Sequence, residues 1–466
     1  MNRAPIVRTL AALALLLSLG AHAADTVRGG EHVLAHDLLA QMIGTDTTSE
    51  HGSTTGLAEQ LARRFLEAGF PKADVQVVGD DPKRRNLVVR LRGRGERQPI
   101  LLLAHLDVVE ARREDWHVDP FKLTARDGYY YGRGTMDIKG AGAGLIATLL
   151  RFHQEGLKPK GDYILALTAG EEDGVSNGVQ WLLAHRPELI RSEFSINVDG
   201  GGPEIRNGRP EVVAVETAEK IYASYTLTVH NPGGHSSLPT PDNAIYRLAN
   251  GLVRLSALKF PLHTNATTRG YYARLATLYT GALAADMRAV AHDPSDPAAV
   301  KRLAATTPYN DAHLRTTCVP TLLAGGDAEN ALPQMARATV NCRIMPDEQP
   351  GHIEAMIKQA LADPQIEVAP VAPAPTSPPS PINQALFAHI GEAAMATWGQ
   401  RMPVSPYMSA GASDSVFLRA AGIPSYVFNG IAYDVNDDRS HGQDERILIN
   451  SYYQSLEFNY KLLKDL

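Results

Sequence analysis

Three apolar runs in this chain each lead into acidic or imidazole-bearing residues. Ile100–Ala104 leads into His105-Leu106-Asp107, Tyr163–Leu167 runs on to Glu171-Glu172-Asp173, and Phe194–Val198 ends at Asp199. In open α/β sheets ligands gather at the carboxyl ends of the strands, so these groups are expected to converge. Carboxylates crowded together without counter-charge raise one another's pKa, whereas a divalent cation stabilises the same cluster. Metal is the economical reading. A histidine with Asp and Glu oxygens suits zinc, with manganese or cobalt as substitutes, and a carboxylate shared by two ions suits a paired-metal hydrolytic site. Two further stretches fit. Gly132-Arg133-Gly134-Thr135-Met136-Asp137-Ile138-Lys139-Gly140 puts Asp137 in a glycine-rich loop before a helix, and Arg439-Ser440-His441-Gly442 supplies an imidazole far along the chain.

The elements that must carry these groups alternate between residues 53 and 200. A helix is expected over Thr54–Ala68, closed by Gly69, with strands at Val75–Val78, Leu87–Leu91, Ile100–Ala104, Tyr163–Leu167 and Phe194–Val198. Helices are expected at Ile138–Gln154 and Val175–His185, and a last buried strand at Ser425–Phe428. This pattern points to an α/β domain with a mixed, largely parallel sheet flanked by helices. The middle of the chain reads as β-α-β-β-α-β: strand Ala223–His230, helix Asp242–Ala257, a hairpin of Thr316–Leu323 and Ala336–Ile344, helix Gly351–Ala362 and strand Ile366–Val368. That order is the ferredoxin-like α+β arrangement. A mostly helical stretch, Lys259–Arg315, interrupts it. Pro370–Pro381, with six prolines, reads as a stiff connector back to the first domain.

At 466 residues the chain exceeds what one hydrophobic core usually supports, so two domains are expected. A composition of 44% hydrophobic and 21% charged residues excludes disordered and fibrous classes. Met1–Ala23 reads as a secretory leader: Arg3 and Arg8 mark a basic start, Leu10–Leu19 is apolar but too short to span a bilayer, and Ala21-His22-Ala23 offers small residues for cleavage. The mature protein is expected in the periplasm or outside the cell, with no membrane association. Losing Arg3 and Arg8 takes the formal charge from −6 to −8, which argues against nucleic acid and anionic membranes as partners. Cys318 and Cys342 flank the 325–332 turn region at similar distances; a bridge across a hairpin is open to them, and the sequence does not decide it.

Taken in order, Leu103-Ala104-His105-Leu106-Asp107, Gly132–Gly140, Ala169-Gly170-Glu171-Glu172, Asn197-Val198-Asp199-Gly200, Gly233-Gly234-His235-Ser236-Ser237 and His441-Gly442 resemble the M20 family of co-catalytic zinc metallopeptidases and amide hydrolases. The resemblance spans nearly the whole mature chain. It implies two zinc ions per subunit, His105 and Asp199 holding one, Glu172 and His441 the other, and Asp137 bridging both. Asp107 would orient His105, and Glu171 would be the general base. His235 resembles the family's lid histidine, which in dimeric members comes from the neighbouring subunit, so a homodimer is left open. Asn330 and Arg343 resemble substrate-holding residues, and an Arg grips a free carboxylate through paired hydrogen bonds. The domains implied are 1–23 leader, 24–219 with 373–466 as the metal-binding catalytic domain, and 220–372 as an inserted lid or dimerisation domain.

One departure is visible. Many relatives carry Gly-Gly before Ser/Thr-Asp, where this chain has Ala410-Gly411-Ala412-Ser413-Asp414, leaving Gly411 as the substrate-contacting candidate. The resulting expectation is an exported dinuclear zinc hydrolase cleaving a peptide or N-acyl amino acid bond next to a free carboxylate. A non-catalytic peptide- or amino-acid-binding protein on the same scaffold is the alternative. A serine hydrolase built on Ser413 is a third, weakened by the missing final glycine of a nucleophile elbow.

Overall fold

The continuous apolar runs read from the sequence become strands buried on both faces, as central parallel strands must be. The computed structural model describes residues 29–206 and 208–466, so the leader expected at Met1–Ala23 lies outside it. Ile100–His105 and Tyr163–Thr168 are buried along their whole length. They pair in parallel with each other, and Phe194–Asn197 pairs in parallel with Ile100–His105. Asn86–Leu91 and then Val75–Val78 extend the sheet antiparallel on the other side. The result is the expected mixed α/β fold with a largely parallel sheet flanked by helices.

The chain divides into two units. The first comprises residues up to Glu211, His389–Arg401 and Asn429–Leu466; the second comprises Val212–Ala388 and Met402–Phe428. In the first unit the helix Lys139–Gln154 packs on the Ile100–His105 and Tyr163–Thr168 strands, with the C-terminal helix Ile449–Asp465 against it. Its start is rich in small residues because backbone approaches backbone there. A Cβ on Gly140 would lie 2.2 Å from the Thr135 carbonyl oxygen. Helix Thr54–Glu67 buries Leu57, Ala58, Leu61, Ala62 and Phe65, the three-and-four spacing of one helix face, and the chain turns away at Gly69 with φ of +95°.

Three short strands were not legible in the sequence and matter most for the site. Thr124–Arg126, Tyr129–Tyr131 and Arg446–Leu448 form an antiparallel ribbon in which Arg446 faces Tyr131. This pairing lays the segment that ends at Glu445 beside the loop that begins at Gly132, and the Gly132 N–H donates to the Glu445 carbonyl at 3.1 Å. Sequence reading also missed the helix at 29–43, the strands Gly202–Arg206, Arg209–Glu219 and Val404–Ser409, and the helices Gln384–Trp398 and Ile449–Asp465.

The second unit contains the β-α-β-β-α-β order. Its four-stranded sheet runs Thr317–Gly325, Met335–Ile344, Ile221–His230, Glu367–Pro370, antiparallel throughout. Alternation sets its faces: Ile221, Ala223, Tyr225, Leu227 and Val229 are buried while the residues between them are less so. Helices Ala244–Ser256 and Pro350–Leu361 supply Leu248, Leu255, Ile353, Ile357 and Leu361 to that core. Cys318 and Cys342 sit directly opposite one another and are disulfide-bonded. The 259–315 stretch forms four helices with a small core of their own around Tyr272, Met287, Leu303 and Leu314.

The close contact at Gly140 yields a stability prediction. Gly140→Ala should lower stability by about 1–3 kcal/mol through overpacking against a backbone oxygen that has little room to move. Chemical denaturation of the metal-free protein reads this directly, and an unchanged midpoint would contradict the packing described.

Candidate metal centre

Each of the three parallel strands delivers a group at its carboxyl end. His105 is the last residue of its strand and is 2% exposed. Its Nδ1 lies 2.9 Å from the Asp107 carbonyl oxygen. A carbonyl only accepts, so Nδ1 carries the proton and Nε2 is directed at the cluster. Nε2 is 3.1 Å from Asp137 Oδ1 and 3.7 Å from Asp199 Oδ1. On the other side, His441 Nε2 is 3.1 Å from Asp137 Oδ2 and 2.9 Å from Glu172 Oε2. The two oxygens of Asp137 therefore face different imidazoles. One donor atom from each of His105, Asp137 and Asp199 falls within 4.8 Å of the others, and the same holds for Asp137, Glu172 and His441.

The electrostatics show what such a cluster lacks. Burial pushes the Glu172 and Asp199 carboxyl groups up. Burial opposes charge on His105, but hydrogen bonds donated to Asp137 and Asp199 outweigh it and raise the ring well above its ordinary value. Hydrogen bonds donated to Asp137 and Glu172 raise His441 to about 10. Asp137 is held low despite its burial by the two imidazoles it touches. Glu172 Oε1 is buried without a hydrogen-bond partner, as is Asp107 Oδ1. A cation bound at about 2.0–2.2 Å from tetrahedral donors needs those donors about 3.3–3.6 Å apart; the contacts of 3.1 and 3.7 Å around His105 span that spacing, and those of 3.1 and 2.9 Å around His441 fall a little short of it. The residues fit a metal.

The loops that hold the donors explain the adjacent glutamates. Glu171 and Glu172 do not continue the strand, as alternation along a strand end had suggested; they sit in a turn beyond Thr168, entered through Gly170 at φ of +72°. A Cβ on Gly170 would come within 2.3 Å of the Val175 carbonyl oxygen. Asp107 fastens this turn to His105. Its main-chain carbonyl takes the His105 proton and its Oδ2 accepts from the Glu172 N–H at 3.0 Å. Asp107 contacts the His105 ring through its main chain, its side-chain Oδ1 standing 3.9 Å from Nδ1. Glu171 is half-buried, and its charge helps raise His105. Arg84 pins the far side of the turn, pairing both nitrogens with Asp173 at 2.8 and 2.9 Å and donating to the Val175 carbonyl.

Asp137 and His441 depend on residues that sequence reading did not single out. Glu445 is fully buried. Its Oε1 accepts from the N–H groups of Met136 at 2.7 Å and Asp137 at 3.0 Å, and its Oε2 accepts from Gly134 N–H at 3.1 Å and Arg133 Nη1 at 2.7 Å. Arg133 is also buried, stacks 5.1 Å from the Trp116 ring, and donates Nη2 to the carbonyls of Glu110 and His441. Lys139 donates Nζ to the Met42 and Thr45 carbonyls. The only sequence signal for Glu445 was an acid shortly after the His441 motif, inside a polar run.

The remaining candidates lie in the second unit. His235 is exposed and its Nδ1 accepts from the Ser237 N–H at 3.2 Å, which leaves the neutral ring's proton on Nε2. The Gly234–His235 strand pairs with Ala331–Leu332, and Ser236 N–H donates to the Asn330 carbonyl, so His235 and Asn330 share one ribbon. Arg343 is on the four-stranded sheet, its guanidinium 4.5 Å from the Tyr222 ring, with burial holding it below its usual range. Gly411 is exposed in the loop after Val404–Ser409. Ser413 is buried, with its N–H and hydroxyl both on Glu219 Oε2, which occupies the hydroxyl a serine nucleophile would need. Close to Arg343 in charge is Lys220, which is buried and donates to the Arg315 carbonyl at 2.8 Å; burial, then the Arg343 charge, lower it to about 7.

Comparison with known proteins agrees with this geometry. Residues 101–465 match the model of Peptidase family M20/M25/M40, and the chain belongs to that family. It is an M20-type hydrolase. It is 28% identical over 376 residues to the N-fatty-acyl-amino acid synthase/hydrolase PM20D1 of Xenopus tropicalis, covering 79% of this chain and 72% of that one. Among solved structures, an M20 family metallo-carboxypeptidase from Sulfolobus solfataricus superposes with a TM-score of 0.68 at 17% identity, over 92% of this chain and 98% of that one. Human carnosine dipeptidase 1 follows at 0.66 and 14%, over 95% and 99%.

The Lys220 environment carries a pH prediction. Its folded value of about 7 lies below the ordinary 10.5, so across that window the unfolded chain binds a proton that the folded chain does not. Stability then rises with pH through the window. Between pH 7 and pH 10, wild-type protein should gain stability relative to Lys220→Met in denaturant titrations. A difference that stays constant over that range would refute the reading.

Proposed function

We propose that this protein is an exported dinuclear zinc hydrolase that cleaves the amide bond of an N-acyl amino acid or short peptide next to a free carboxylate. The observation that carries the reading is the division of Asp137, one oxygen toward His105 and the other toward His441. His105 and Asp199 would hold one zinc ion, Glu172 and His441 the other, and Asp137 both, with manganese or cobalt as substitutes. Bound there, the cations supply Lewis acidity to the scissile carbonyl and lower the pKa of the attacking water.

This chain's own residues do the rest. Glu171 takes the proton of the attacking water and passes it to the leaving nitrogen. By its resemblance to the family's lid histidine, His235 of this or a neighbouring subunit would donate to the oxyanion that develops on the carbonyl. Arg343 grips the substrate carboxylate, with Asn330 and Gly411 holding the substrate backbone. We assign catalysis to residues 24–219 and 373–466 and the lid to 220–372, which a homodimer would also use. Similarity to an N-fatty-acyl-amino acid hydrolase over 79% of the chain favours an N-acyl amino acid as substrate. The leader-like Met1–Ala23 and the Cys318–Cys342 disulfide both suit an oxidising compartment outside the cytoplasm. Among the described residues, no helix is long and apolar enough to cross a membrane.

Chelation should abolish hydrolysis of an N-acyl amino acid and dipeptide panel, and zinc or cobalt should restore it. Glu171→Ala should retain both ions by elemental analysis while kcat falls by about 10²–10⁴. Turnover at the wild-type rate by this variant would remove Glu171 as the base, and failure of metal-loaded protein on every member of the panel would sink the hydrolytic assignment of the substrate class.

A further inference from the structure

Between the glycine-rich loop and the His441 segment lies a charged pair, Arg133 and Glu445, whose hydrogen bonds outside the pair go to main-chain groups. Both members are buried, Glu445 fully and Arg133 to 3% exposure. A buried ion pair adds little net stability over a well-packed apolar pair, since desolvation offsets most of the attraction. The contacts of this one are unequally directed for a stability device. Every recorded bond of the Glu445 carboxylate goes to residues 133–137: the three N–H groups of Gly134, Met136 and Asp137 and the Arg133 guanidinium. The Arg133 fork reaches the other way, its Nη2 shared between the carbonyls of Glu110 at 3.3 Å and His441 at 3.4 Å, and the His441 backbone has a left-handed φ of +61°. The side chain of His441 is 54% exposed, whereas His105 is buried at a strand end. The His441 side of the site therefore depends on its backbone being held.

We infer that the Arg133–Glu445 pair is a positioning clamp that keeps Asp137 shared between the two metal positions. Glu445 sets the backbone from which Asp137 projects, and Arg133 ties that loop to His441. The clamp reaches both positions through Asp137 and the Asp137–Glu172–His441 position also through the His441 backbone, whereas His105 ends a parallel strand and Asp199 follows one, so its loss falls harder on the His441 position. This rests on the paired-metal reading above. A glutamine at 445 keeps one acceptor oxygen but turns the other arm into a donor facing Gly134 N–H and Arg133. A lysine at 133 keeps the charge but lacks the planar fork that bonds Glu445 and the His441 carbonyl together.

The test is stepwise zinc titration of chelator-stripped protein, with folding monitored by far-UV circular dichroism, on wild type, Glu445→Gln, Arg133→Lys and the double variant. Partners that orient metal ligands typically contribute about 10–100-fold in metal affinity. In both single variants the second ion should weaken by at least about tenfold more than the first, and the double variant should be no worse than the worse single. A role confined to stability would lower both affinities together, so an unchanged ratio in folded variants overturns the clamp. If Glu445→Gln does not fold, Arg133→Lys decides alone. Wild-type protein that takes up only one ion would instead overturn the paired-metal reading, a result distinct from two ions bound with an unchanged ratio.

Discussion

The structure is organised around one carboxylate that must face two ways. Asp137 Oδ1 and Oδ2 each stand 3.1 Å from a different imidazole nitrogen. One imidazole arrives on a strand end and the other on a segment more than three hundred residues further along the chain. Bringing three carboxylates into this space costs free energy unless positive charge comes with them. Burial raises the Glu172 and Asp199 carboxyl groups, the acidic neighbours raise both imidazoles, and Asp137 alone is held low, by the two imidazoles it touches. The sheet, the antiparallel ribbon and the glycine-rich loop can all be understood as means of bringing these donors to one point.

How much of this could be read from the residues depended on the length of the element involved. His105, Glu172 and Asp199 were legible because each follows an apolar run long enough to announce a buried parallel strand. Asp137 and His441 stood out only as an acid in a glycine-rich loop and an imidazole far along the chain, and their pairing as donors came from resemblance of their motifs. Their juxtaposition is made by strands of three residues, Tyr129–Tyr131 and Arg446–Leu448, which are too short to show a period. Glu445 was invisible for a related reason: within Gln443-Asp444-Glu445-Arg446 nothing distinguishes a fully buried acid from its solvated neighbours. The glutamate pair was correctly placed at the end of an apolar run but explained by the wrong geometry, because the turn through Gly170 intervenes before either side chain. In the second unit strict alternation made the Ile221–His230 strand plain, while the long Arg209–Glu219 strand before it was passed over.

The second unit couples its pieces by different means. The His235 ribbon and the Asn330 carbonyl are joined through main-chain bonds, and the Ser237 N–H donates to His235 Nδ1. Lys220 and Arg343 lie close enough that the Arg343 charge adds to burial in lowering the Lys220 ammonium.

The outermost strand of the four-stranded sheet, Thr317–Gly325, leaves Val319, Leu322 and Leu323 more than half exposed. A bare apolar edge of this kind can recruit a strand from another molecule. Pro320 blunts it, since proline offers no amide hydrogen and the register shifts just after it. Cys318 fastens the same strand covalently to its inner neighbour. In a reducing cytosol that fastening is absent and the edge is free to fray, so material made there would aggregate more readily than material matured in an oxidising environment.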